Sequence, residues 1–111
     1  MLDLTTALGE LYQVKLLDGK VLNLKRPTQA LQVAIVNLQK YAGKEKDAEK
    51  AMETTMEIFC RILNRNDEGL EFKPEDINED YDYSIALMVI GDYLKYYAAE
   101  VQRSVNFQVV Q

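Results

Sequence analysis

The sequence predicts an α+β fold, mainly helical, in which an N-terminal β-hairpin packs on about three helices. Two observations lead there. Short apolar segments flank Asp18-Gly19, and apolar residues then recur at three- and four-residue spacing through most of 28–103. At 111 residues, with 48% apolar and 28% charged side chains, the chain suits one ordinary globular domain with a modest core. Neither a fixed-period repeat nor a proline-rich linker divides it.

Residues 11–25 read as two short strands around Asp18-Gly19. A two-residue turn would pair Val14 with Asn23 and Tyr12 with Lys25, mixing polar and apolar residues on each face. A three-residue loop with Gly19 in the left-handed bulge position instead pairs Val14 with Leu22 and Tyr12 with Leu24, and sets Gln13 opposite Asn23. This register separates the faces and is preferred. Because an isolated hairpin is marginal in water, its apolar face must rest on the helices that follow.

Pro27 closes the second strand, and Thr28 is placed to cap a first helix whose apolar positions are Leu31, Ala34, Ile35, Leu38 and Tyr41, ending at Gly43. The charged connector Lys44-Glu45-Lys46-Asp47 reads as solvated surface. A second helix follows, with Ala48, Ala51, Met52, Thr55, Phe59, Ile62 and Leu63 at helical spacing, and Asn64 to Gly69 end it. Phe72 and Ile77 anchor an acidic linker in which Pro74 opens a short helix, with Glu75 and Asp76 against its N-terminal dipole. The last helix starts near Asp80 or Asp82 and runs to about Arg103, leaving 104–111 as a tail free to fray or join a neighbouring chain. Gly91 inside it suggests a close helix contact.

That last helix carries two apolar stripes. Tyr83, Leu87, Ile90, Leu94, Tyr97 and Val101 are spaced 4-3-4-3-4, while Ile85, Met88, Val89, Tyr96 and Ala99 lie rotated away from them. A helix apolar on two sides is either central in its own core or shared with another chain, and in so short a chain sharing is the more informative reading. Tyr83, Leu87, Ile90, Leu94 and Tyr97 are expected in the core or an oligomer seam. Met88, Val89 and Tyr96 are expected to contact a second chain, with methionine able to adapt to varied surfaces and tyrosine to anchor.

Composition narrows the chemistry. Without histidine, the usual zinc, haem and proton-shuttle sites lack their commonest residue. The lone Cys60, beside Ile58, Phe59 and Ile62, reads as a buried thiol that forms no intrachain disulfide. Asp76, Asn78, Asp80 and Asp82 alternate like the front of a calcium loop, but Tyr81 stands where glycine is needed and Leu87 where a bidentate glutamate is needed. The five glycines are too scattered for a phosphate loop. No cofactor, metal or catalytic residue is expected, and the chain is not expected to be an enzyme.

The net charge of −5 is uneven, with 10 basic and 8 acidic residues in 1–66 but 3 basic and 10 acidic in 67–111. Such a C-terminal part repels a phosphate backbone, so no nucleic-acid partner is expected. Met1 to Leu11 lacks the features of a secretory signal, and the longest apolar run, Ile85 to Ile90, is too short to span a bilayer. A cytoplasmic protein without a membrane partner is the resulting expectation.

The order Tyr-Gln-Val-Lys-Leu-Leu-Asp-Gly-Lys-Val-Leu-Asn-Leu-Lys-Arg-Pro-Thr, two amphipathic helices, then Glu-Phe-Lys-Pro-Glu-Asp-Ile and a final helix, resembles tail assembly chaperones of long-tailed bacteriophages or prophages over about residues 10–103. The resemblance implies a non-enzymatic viral protein of the host cytoplasm, absent from the mature virion. Such chaperones coat the tape measure protein in multiple copies and give way as the major tail protein polymerises. A homo-oligomer is implied, and so is a short form of a gene product that a frameshift would extend. The alternative reading is an acidic phage-encoded inhibitor or adaptor whose carboxylates in 67–82 occupy a basic host site.

Overall fold

Strand β1 (Tyr12–Lys15) and strand β2 (Val21–Leu24) form a two-stranded antiparallel sheet. The Leu16 amide donates to the Lys20 carbonyl at 2.8 Å and the Gly19 amide to the Leu16 carbonyl at 2.9 Å, which closes the loop Leu17-Asp18-Gly19. Gly19 takes φ +91°, the left-handed conformation that this loop requires and that glycine adopts without a side-chain clash. Tyr12 opposes Leu24, Gln13 opposes Asn23 and Val14 opposes Leu22, the register that face segregation predicts. Tyr12, Leu22 and Leu24 are buried, whereas Gln13 and Asn23 join their amides at 2.9 Å on the other face. The structure is a computed structural model that describes residues 1–4, 9–41 and 46–110, with residues 41 and 100–110 described by their backbone alone.

Helix α1 (Gln29–Tyr41) is capped by Thr28, whose Oγ1 accepts from the Leu31 amide at 3.2 Å. Leu31 and Ile35 are buried and Ala34 and Leu38 pack beside them. The expected stop at Gly43 lies outside the described residues. Helix α2 (Ala48–Leu63) starts at Asp47, which is more than solvated surface. Its Oδ1 accepts from the amides of Glu49 and Lys50 at 3.1 and 3.2 Å, satisfying donors that the first turn leaves open.

Helix α3 (Pro74–Asp80) has proline in its first turn and buries Ile77, as the sequence predicts. Asp82 then caps helix α4 (Tyr83–Val110), accepting from the Ile85 amide at 2.9 Å. This helix passes the predicted end at Arg103, and between Arg103 and Val110 no glycine or proline stands to stop it.

The centre of the molecule is α2, which packs against α1, α3, α4 and β2. Ile58, Phe59, Cys60, Ile62 and Leu63 are all buried, so the helix apolar on several sides is the end of α2. Beyond it, Asn66 organises the loop to α3. Its Nδ2 donates to the Leu63 and Leu70 carbonyls, both at 2.8 Å, and its Oδ1 accepts from the Glu68 and Leu70 amides at 3.1 and 2.9 Å. The same loop pairs with β2: the Lys25 amide donates to the Arg65 carbonyl at 2.8 Å and the Asp67 amide to the Asn23 carbonyl at 2.9 Å.

Candidate protein-binding surface

Helix α4 is fixed to the hairpin by tyrosine. The Tyr97 hydroxyl donates to the Leu24 carbonyl and accepts from the Tyr12 amide at 3.1 Å. Three more hydroxyl bonds, each 2.6 Å, run from Tyr93 to the Lys25 carbonyl, Tyr96 to the Glu10 carbonyl and Tyr12 to Asp92 Oδ2. The rings meet largely edge to face: Tyr96 and Tyr97 centroids lie 5.0 Å apart, and those of Tyr93 and Tyr97 5.2 Å apart. Burial pushes the phenols of Tyr12, Tyr93 and Tyr97 above the usual tyrosine range, and the Asp92 carboxylate pushes Tyr12 further.

This clasp decides which side of α4 turns inward. Among its described side chains Ala86, Ile90, Tyr93 and Tyr97 are buried, so Ile90 and Tyr97 of the first predicted stripe share the core with Ala86 and Tyr93, which belong to neither stripe. Val89 and Tyr96 flank these four on one side and Leu94 on the other, all three half-buried against the core. The first stripe thus supplies part of the core and one shoulder, Val89 and Tyr96 of the second form the other shoulder, and Met88 and Ala99 stay outside.

Of the residues proposed for interaction, Ile90 and Tyr97 lie in the core, and Tyr83, Val89, Leu94 and Tyr96 are half-buried. The expectation that Val89 and Tyr96 face away from their own core is corrected, because the hairpin occupies that side of the helix. Ile85 is half-buried and Ala99 exposed, while the side chain of Val101 lies outside the described residues. Among the described side chains of α4, two large apolar residues remain outside: Leu87 at 42% and Met88 at 72% exposure.

Gly91 also differs from expectation. A Cβ placed there meets no atom within 4 Å among the described residues, so no described helix presses on it. Leu87, Gly91, Leu94 and Ala98, spaced 4-3-4, form an exposed to half-buried seam along one shoulder of α4. At its far end Leu94, Tyr97 and Ala98 face Gln32 of α1 across an open pocket of about 310 Å³, with Arg26 and Pro27 completing the described lining.

The Arg26 guanidinium lies over the Tyr97 ring, 5.8 Å from Cζ to centroid. Its Nε is buried and meets no acceptor among the described residues. The Arg65 side chain donates to the Arg26 carbonyl from Nε and Nη2 at 3.2 and 2.9 Å, so a second cation is tied to the Arg26 backbone. Residue periodicity gave no signal for this pocket, since Arg26 and Pro27 belong to the connection between strand and helix.

The chain matches no family model, no curated protein and no solved structure.

The remaining candidates for chemistry find structural roles. Cys60 is buried, and burial followed by the Glu75 charge pushes its thiol up, away from a reactive thiolate. Its sulfur donates to the Phe72 carbonyl at 3.3 Å. Asp76, Asn78 and Asp80 belong to α3 and Asp82 caps α4, so their alternation does not wrap a loop. Among the described residues no group of three or more cysteine, aspartate or glutamate side chains could hold a metal ion. Among them, too, no helix is long and apolar enough to cross a membrane.

Proposed function

We propose that this chain is a phage tail assembly chaperone, binding the tape measure protein without catalysis and releasing it as the major tail protein assembles. The reading combines the sequence resemblance with one observation: Leu87 and Met88 stay outside on a helix whose Ala86, Ile90, Tyr93 and Tyr97 are buried in its own core. An exposed leucine and methionine beside the half-buried Leu94 suit transient capture of an apolar helix. Self-association along the client and action in the host cytoplasm belong to the same reading.

The test is co-expression with overlapping segments of a tape measure protein encoded beside this gene, followed by pull-down and sedimentation. Capture of helical segments by the native chain, weakened in Met88→Asp with helical circular dichroism intact, is the expected result. A strict monomer that ignores every segment overturns the reading.

A second reading rests on the eight carboxylates of 67–82, all on exposed residues, with Lys73 the single cation among them. Two serve the fold, since Glu68 holds Asn23 and Asp82 caps α4. An acidic inhibitor or adaptor using the others would bind with steep salt dependence, whereas capture through apolar contacts is salt-tolerant.

A further inference from the structure

We infer that the seam Leu87-Gly91-Leu94-Ala98 and the Arg26 pocket form one docking surface for a partner helix that carries a carboxylate beside its aliphatic stripe. The inference rests on the chaperone reading and specifies which side of α4 receives the client and what the client must bring.

Three features converge on one shoulder of α4. The 4-3-4 spacing matches the seam that one helix offers another, and two of its four positions are glycine and alanine, which let backbones approach closely. The volume above Gly91 is open, and the flanking leucines supply apolar area on either side. Where the seam meets α1, the pocket of about 310 Å³ lies at the low end of the range for small-molecule sites, a size suited to one or two partner side chains.

Charge selects the occupant. The chain as a whole is acidic, yet the described lining of the pocket holds Arg26 and Gln32 and no acidic residue, and Arg65 bonds to the Arg26 carbonyl. Arg26 Nε is withdrawn from water and lacks an acceptor among the described residues, while the face of Tyr97 holds the guanidinium. A carboxylate entering beside Leu94 would supply that acceptor after a small turn of the side chain, using the side-on, two-bond geometry that arginine makes with carboxylates. An uncharged aliphatic helix would leave the Nε unpaired, and a basic one would be repelled. The surface therefore calls for an amphipathic helix whose aliphatic residues lie along Leu87 to Ala98 and whose glutamate or aspartate reaches Arg26.

The test uses the full chain and synthetic amphipathic helical peptides with a leucine and alanine stripe, each made with glutamate or glutamine at successive positions at one end of the stripe. Native protein is expected to prefer one glutamate register over its glutamine twin by about tenfold, the size of one good charge-assisted hydrogen bond. Arg26→Gln should remove that preference but keep weak binding. Gly91→Leu, which fills the seam, should abolish binding to both twins with circular dichroism unchanged.

Three results overturn the inference: a glutamate preference that survives Arg26→Gln, peptide binding that survives Gly91→Leu, or inorganic phosphate displacing the glutamate peptide at equal concentration. Concentration-dependent dimerisation of the protein alone, lost in Gly91→Leu, also overturns it by assigning the seam to a second copy. Tape measure segments that bind unaffected by either substitution refute this surface while leaving the chaperone reading intact. Failure of every segment refutes that reading itself.

Discussion

Tyr97 and Tyr12, 85 positions apart, share a hydrogen bond of 3.1 Å in which the Tyr12 backbone amide donates to the Tyr97 hydroxyl. The same hydroxyl donates to the Leu24 carbonyl on the opposite strand, directly across from Tyr12. One side chain of α4 therefore closes the end of the hairpin. Removing its oxygen in Tyr97→Phe leaves the ring packed but strips partners from two buried backbone groups. The expected loss of stability is about 1–3 kcal/mol, measured by urea unfolding. Tyr96→Phe, whose bond to Glu10 is more exposed, should lose less than about 1.5 kcal/mol. Equal losses would show that the position of the hydroxyl at the hairpin end is immaterial.

Stability should fall in alkali. Burial raises Tyr12, Tyr81, Tyr93 and Tyr97 in the folded state, whereas the unfolded chain ionises its tyrosines near a pH of about 10. A raised folded value means that the unfolded state releases protons first. The contribution is complete below that unfolded value and is lost as pH rises through the folded ones. Chemical denaturation between neutral pH and pH ~11 should show a falling midpoint, and ultraviolet titration should show a share of the tyrosines ionising only as the protein unfolds. Uniform titration before unfolding would contradict the buried clasp.

The hairpin was legible because one register alone separates Tyr12, Val14, Leu22 and Leu24 from Gln13 and Asn23. The Thr28 cap, the Pro74 helix and the burial of Cys60 were legible for similar reasons, each following from local geometry or immediate neighbours. The inward side of α4 was not. Periodicity places residues on a helix but does not say which neighbour covers them, and here the covering element is a hairpin from the other end of the sequence. Tyr93 shows the difficulty: it belongs to neither apolar stripe, yet it is fully buried because the Lys25 carbonyl receives its hydroxyl. Arg26 escaped notice because its significance is the absence of a nearby acceptor, which spacing cannot reveal.

Asn66 should be among the most sensitive polar positions. Its side-chain amide makes four hydrogen bonds to the loop backbone, and its neighbours Arg65 and Asp67 bond to the end of β2 and the residue after it. Asn66→Ala removes all four side-chain bonds and strands the buried groups they satisfied, an expected loss of about 3 kcal/mol. Asn66→Asp keeps the acceptor and loses the two donors, so it should fall between alanine and the native residue. Thermal unfolding of the three proteins under one set of conditions checks the order, and a neutral Asn66→Ala would mean that the loop is held by its backbone alone.

Gly91 offers a substitution whose effects on stability and on binding have opposite signs. In a helix interior, glycine is about 1 kcal/mol less favourable than alanine because it retains more freedom when unfolded. A Cβ at this position meets no atom within 4 Å among the described residues, so Gly91→Ala introduces no clash with them. The isolated protein should gain about 1 kcal/mol, seen as a rise in melting temperature of roughly 4 °C or more. That a less stable residue stands in an open position is explained if another backbone must come close there. Gly91→Ala should then weaken capture of a client helix even as it strengthens the fold, and a larger residue at the same place should weaken capture further. A stabilised variant that binds its client as well as the native chain would remove the reason for a glycine on this face of α4.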